Sequence, residues 1–248
     1  MPVVALATFL VTQAPTTLLY QPKVGSSYRF SIDSSIKNQT GLANISAKSN
    51  VKILSFTGGV YRVETRLSDI KSGGKDISGE LQKKPTYLNY DKYGTVRMDR
   101  QSSSGSQDVM SSFSNQALGM QFPKKPVKVG DKWTNVVDLG SVFTTLMKKP
   151  GSKAVGKVNM EFKLVQLAKG SAVVTCKLKG TVNMDITNQA GGKAPAKSQV
   201  SMSISGNGQY TVERSTGVYL ASNMTMEVGT AANGRHFSST QSVSMKRL

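Results

Sequence analysis

Apolar and polar residues alternate along most of this chain, with the two-residue period of strands that are wet on one side only. The pattern is clearest in the second half. Val158, Met160, Phe162 and Leu164 share one parity, as do Val182, Met184 and Ile186; Val200, Met202 and Ile204; Met224, Met226 and Val228; and Val243 and Met245. Lys, Asn, Asp, Ser and Thr fill most of the intervening positions. This predicts a mainly β protein whose strands form an antiparallel meander, as an open sheet or a half-barrel. The polar stretches 187–199 and 229–236 are expected to be connections.

The same phrases occur twice in the same order. "YQPKVGSSYRF" (20–30) matches "FPKKPVKVGDKW" (122–133) through Lys23-Val24-Gly25 and Lys128-Val129-Gly130, which brings Tyr28 onto Trp133 and Asp33 onto Asp138. "VKILSFTGGVYRVETRL" (51–67) then matches "FKLVQLAKGSAVVTCKL" (162–178), and "YDKYGTVRM" (90–98) matches "VERSTGVYL" (212–220). Each copy reads as a turn with an aromatic strand, then a glycine hairpin, then a second hairpin whose glycine takes a positive φ. The division expected is a signal-like segment at 1–19, a first β repeat at 20–102, a helical connector at 103–122 and a second β repeat at 123–248.

Helical spacing occurs twice. Val109, Met110, Phe113, Ala117 and Leu118 suggest one helix in the connector. Leu139, Val142, Phe143, Leu146 and Met147 suggest another, stopped by Lys148-Lys149 and Pro150-Gly151. Both are expected to lay an apolar face on the sheet.

Charge changes the picture more than composition does. The 248 residues carry 32 Lys plus Arg against 14 Asp plus Glu, a net charge of +18. Such an excess steers a protein towards anionic surfaces. The basic residues are scattered, with only short pairs such as Lys83-Lys84 and Lys124-Lys125. This argues against dedicated nucleic-acid binding and leaves an anionic membrane surface or an acidic polymer as the partner of that charge. The apolar run Val3 to Val11, followed by small and polar residues, has the form of a secretory signal, although no Lys or Arg precedes it. An exported protein, periplasmic or at the cell surface, is expected, with a cytoplasmic one as the alternative.

The inventory for catalysis is thin. One histidine, His236, and one cysteine, Cys176, offer no zinc cluster, and Cys176 shares parity with Val174 and Leu178 as a buried residue would. The carboxylates Asp33, Asp138, Glu161 and Asp185 are isolated in sequence, and no phosphate loop or nucleophile elbow is present. No enzyme, metal or cofactor is expected. What stands out is that Met160, Met184, Met202, Met226 and Met245 occupy the apolar face of five successive strands. Thioethers adapt to varied apolar shapes, so Met160, Phe162, Met184, Met202 and Met226 are the candidate lining of a site for a lipid or other apolar ligand.

"FPKKPVKVGDKWTNVVDLG", followed by "GQYTVERSTGVYLASNMTMEV", resembles an uncharacterised family of exported bacterial proteins catalogued as a domain of unknown function. The resemblance covers most of residues 20–247. It implies an exported location and a β architecture but no reaction, and it transfers no binding residues. More loosely, meanders with covering helices are similar to the half-barrel of periplasmic lipoprotein carriers, whose concave face holds acyl chains. The function expected is therefore a non-enzymatic binding protein of the cell envelope with an apolar ligand on the concave face of its sheet. The alternative is an interaction module that binds acidic polymers or another envelope protein through a basic surface.

Overall fold

The computed structural model describes residues 14–81, 85–97, 119–147, 152–188, 196–232 and 234–248. Its elements are β1 (Ser27–Asn38), β2 (Gly41–Thr57), β3 (Val60–Ser72), β4 (Lys75–Asp76), α1 (Ser78–Leu81), β5 (Thr86–Asp91), β6 (Val96–Arg97), β7 (Lys132–Val137), α2 (Leu139–Met147), β8 (Lys153–Leu167), β9 (Ser171–Asn188), β10 (Ala196–Glu213), β11 (Tyr219–Ala232) and β12 (Arg235–Arg247). All twelve strands join one sheet in the order β6-β5-β3-β2-β1-β12-β11-β10-β9-β8-β7, with β4 attached to β3. The sheet is antiparallel throughout and open: β6 and β7 are its two edges. The described strands of segments 20–102 and 123–248 therefore build one continuous sheet, joined where β1 pairs with β12 from Phe30 opposite Arg247 to Asn38 opposite Ser239.

The two phrases noted in sequence make the same corner. Gly25 donates its N–H to the Ile53 carbonyl at 2.9 Å, and Ile53 donates to Ser26 at 3.0 Å. Gly130 donates to Leu164 at 2.8 Å, and Leu164 donates to Asp131 at 3.0 Å. Both glycines sit at positive φ, 86° and 97°. Beyond the corner Tyr28 pairs with Val51 as Trp133 pairs with Phe162, and a bulge follows Ile53 in β2 as one follows Leu164 in β8. The bulged strand must bend at that point, which turns each corner inward.

The sheet is strongly curled. Tyr20 donates its backbone N–H to Lys92 at 2.8 Å, and the next residue, Gln21, donates to Thr216 at 2.8 Å. Lys92 lies in the β5–β6 turn and Thr216 in the β10–β11 turn. β5 and β11 are five strand steps apart in the sheet, roughly 24 Å at ordinary strand spacing. Adjacent amides reach both turns only if the sheet rolls over on itself at this end. Two segments plug the roll, 14–22 and 119–127, tied together where Thr16 and Val127 exchange backbone hydrogen bonds at 2.8 Å. Leu18, Met120, Phe122 and Val127 are buried there.

Glycines on the inner face carry the curl through the second half. A Cβ on Gly156 would stand 2.2 Å from the Thr181 carbonyl, one on Gly180 2.2 Å from Lys157, and one on Gly206 2.4 Å from Thr225. Neighbouring strands close in on that side so far that only glycine fits, which is how sheets bend sharply. The inner face is therefore concave, and the largest core cluster fills it over β8 to β10, with Val158, Met160, Phe162, Leu164, Val174 and Val182 buried.

Helix α2 covers this part, as its sequence spacing predicts. Asp138 caps it, accepting hydrogen bonds from the Ser141 N–H at 3.0 Å and the Ser141 hydroxyl at 2.7 Å. Those bonds hold the Asp138 carboxyl below the usual carboxylate range. The helix backbone comes so close to β8 that a Cβ on Gly140 would meet Gly156 N at 2.6 Å. Thr144 then covers free strand edge: its Oγ1 accepts from Ala154 N–H at 2.9 Å and donates to the Ala154 carbonyl at 3.2 Å. Of the expected helical connector at 103–122, residues 103–118 lie outside the described residues, and 119–122 are not helical.

Candidate functional site

Cross-strand pairing places Phe162, Cys176, Gly208, Met224, Val243, Ser34 and Ile45 in one row across the inner face, from β8 to β2. At its β8 end the row is filled: Phe162 and Cys176 are buried in the core. At the other end Met224, Val243, Ser34 and Ile45 are half-exposed. An open groove of about 490 Å³ crosses β11, β12, β1 and β2 behind this row. Besides these four residues it is lined by Asp33, Ser46, Asn223 and Ser244 in one cross-strand row and by Ser35, Asn44, Thr225 and Ser242 in another, with Lys71 opposite Ser46, so it lies on the polar outer face. This volume falls within the range of small-molecule sites.

The two halves of the inner face are filled differently. Over β8 to β10 large apolar residues such as Met160, Phe162, Val174 and Ile204 are buried between the inner glycines, and α2 lies on β8 and β9. Across β1 and β12 the inner positions read Ile32, Ser34 and Ile36 against Gln241, Val243 and Met245, all half-buried. Ser34 interrupts an apolar stripe with a hydroxyl that has one apolar neighbour on either side in the row. This part of the inner face thus offers apolar surface and one central hydroxyl.

The five residues expected to line a site do not line this groove. Phe162, Met160, Met226 and Met184 are packed in the core at 0%, 0%, 3% and 8% exposure. Met202 packs against the same cluster. These five residues share the inner face, where α2 covers β8 and β9 and the sheet rolls inward. The methionines do not form one line. Met160 and Met226 share a row with Leu178 and Gly206 between them, Met202 and Met184 lie in rows nearer the far end of the strands, and Met245 lies towards the plugged end. The lining residues Ser34, Ile45, Met224 and Val243 were not singled out. The signal available for them was polar residues, such as Ser34, at core parity.

The other candidates are placed as follows. Cys176 is buried, and burial pushes its thiol up to about 12, which keeps it a neutral apolar filler. His236 is exposed at the tip of the β11–β12 hairpin, opposite Ala231. Asp33 is exposed on β1, whereas Asp138 caps α2, so their equivalence in sequence brings no pair of acids together. Among the described residues no three His, Cys, Asp or Glu cluster where a metal ion would sit. The outer face of β7 to β9 is basic: Lys157, Lys163, Lys177 and Lys179 are exposed on it, and Lys132 lies directly opposite Lys163. Glu161, next along β8, pairs with Lys132 at 3.1 Å.

Fold and half-exposed row together define a β protein of one rolled, open antiparallel sheet with a part-filled concave face. Residues 97–219, about half of the chain, match the model of a Family of unknown function (DUF6263). The match takes in the second corner, α2 and β8 to β10, a narrower stretch than the resemblance read over 20–247. No curated protein matches the chain. Among the described residues no helix is long and apolar enough to cross a membrane.

Proposed function

We propose that this protein is a non-enzymatic holder of an apolar or lipid-like ligand, working in the cell envelope, with the half-exposed row on the concave face of the sheet as its site. One observation carries the reading: Ile45, Val243 and Met224 stay half-exposed beside Ser34 on the face that is elsewhere the hydrophobic core. Leaving such side chains in water forgoes roughly 25 cal/mol for each Å² of apolar surface. A ligand's apolar chain recovers that energy, and its polar end finds the Ser34 hydroxyl at the centre of the row. The row of Met224, Val243, Ser34 and Ile45 holds no acid and no histidine, which suits holding better than acid–base chemistry.

The test is native mass spectrometry of protein purified from a membrane-containing lysate, followed by displacement of a fluorescent fatty acid. Copurified lipid and competitive displacement are the expected results. A clean mass for the bare chain together with no displacement would sink the reading.

A second reading, an interaction module for acidic polymers, is favoured by the lysines on the outer face. Lys132 and Lys163 directly opposite each other cost the sheet stability, and an anionic partner would offset that cost. Binding to a soluble acidic polymer should then fall steeply with added salt, and salt-independent or absent binding would refute it.

A further inference from the structure

The roll has two ends, and they differ. The plugged end holds Tyr20, Leu18 and Phe122. At the other end the β1–β2, β3–β4 and β11–β12 turns come together, and there large apolar side chains stand in solvent: Leu42 is 63% exposed and Phe237 50%. The β11–β12 hairpin overhangs β1, since Asn38, the last residue of β1, pairs with Ser239 and Phe237 lies two residues further out. Lys37, Lys71, Lys75 and Arg235 are exposed at the same strand ends, Lys37 directly opposite Leu42 and Arg235 two residues from Phe237. The acids at this end are fewer. Asp76 accepts the Ser78 N–H at 2.8 Å, Asp69 is paired with Lys48 at 2.7 Å, and Glu227 shares a cross-strand row with Lys37.

We propose that this open end docks on an anionic lipid bilayer, with Phe237 and Leu42 entering the interface and Lys37, Lys75 and Arg235 meeting the headgroups. The inference deepens the ligand reading and rests on it for its purpose, because Ile45 of the half-exposed row lies on β2 only three residues from Leu42. The composition selects the partner. Cations attract any polyanion, but exposed Leu and Phe beside them gain free energy only where there is an apolar phase to enter. An acidic polymer would leave both in water.

Flotation with vesicles of phosphatidylglycerol and phosphatidylcholine, against phosphatidylcholine alone, tests this on the full chain. The wild type is expected to float with the anionic vesicles only. A Lys37→Glu, Lys75→Glu, Arg235→Glu variant should lose about tenfold or more in partitioning, and Phe237→Ser should lose several-fold, both with wild-type melting temperatures and unchanged displacement of the fluorescent fatty acid. Lys157→Glu, Lys163→Glu, Lys177→Glu, Lys179→Glu should float nearly as well as wild type. No flotation of the wild type, or loss confined to this last variant, overturns the proposal. Flotation that depends on Lys37, Arg235 and Phe237 in a chain that displaces no fatty acid would uphold docking while removing the ligand reading.

Discussion

The ring of Phe122 is seated against Gly217, where a Cβ would stand 3.0 Å from the ring and 2.2 Å from the Leu19 carbonyl. Gly94, in the other turn at the plugged end, touches the same ring: a Cβ there would lie 3.4 Å from it. One phenyl group therefore joins turns that are far apart in the sheet. Phe122→Ala is expected to cost about 3–5 kcal/mol, as for other buried aromatics. Gly217→Ala, which also forces a side chain onto a φ of +68°, is expected to cost about 2 kcal/mol or more. Urea unfolding measures both, and a wild-type midpoint for either would show that the plug does not hold the roll.

Trp133 stacks on Phe162 at 5.6 Å and donates its indole N–H to the Gln121 carbonyl at 2.8 Å. It ties the second corner to the plug. Because it is only part-buried, Trp133→Ala is expected near the low end for such changes, about 3 kcal/mol. Trp133→Phe keeps the stack and loses the hydrogen bond, for about 1 kcal/mol. A larger loss for Phe than for Ala would contradict this division.

Alkaline pH should unfold the protein earlier than its net charge suggests. Burial pushes up the Cys176 thiol and the Tyr219 hydroxyl, each to about 12, and raises Tyr20, Tyr90 and Tyr210 as well. In the unfolded chain these groups ionise at their ordinary values, about 8.5 for the thiol and about 10 for tyrosine. Their contribution is therefore intact below about pH 8.5 and is lost as pH rises towards 12, because only the unfolded state releases protons in that window. Stability measured in urea at pH 8 and at pH 10.5 should show the fall. The tyrosinate absorbance contributed by Tyr20, Tyr90, Tyr210 and Tyr219 should appear together with unfolding rather than before it.

Val243→Asp places a carboxylate in the half-exposed row of the concave face. Fatty-acid displacement should weaken about tenfold or more, since burying an unpaired charge against an acyl chain is costly. The melting temperature should change little, because Val243 is half-exposed before any ligand binds. Undiminished displacement would move the ligand elsewhere.

Much of the fold was legible because it is local. Strand parity, the glycine hairpins and α2 follow from periodicity and turn chemistry. The two corners were readable as one phrase because each needs a glycine at positive φ and an apolar residue, Ile53 or Leu164, across from it. The site was not legible, for a reason of range. Whether an inner residue is core or lining depends on how far the sheet rolls, and that is set by contacts such as Tyr20 to Lys92 and Gly156 to Thr181 between distant segments. Met160 and Met224 have the same residue type and the same parity. Only the roll and the position of α2 make one a core residue and leave the other half-exposed.

The pairing of β1 with β12 fixes the order of assembly. Phe30 and Arg247 are partners across nearly the whole chain, so closing that seam carries the largest loop-closure entropy in the sheet. Contacts of such long range slow folding. Until the final strand has been synthesised, β1 presents an unsatisfied edge on which a second nascent chain could pair. The protein's most exposed moment is thus its own biosynthesis, and a chaperone that shields β1 during that interval would protect it more than any added stability in the finished sheet.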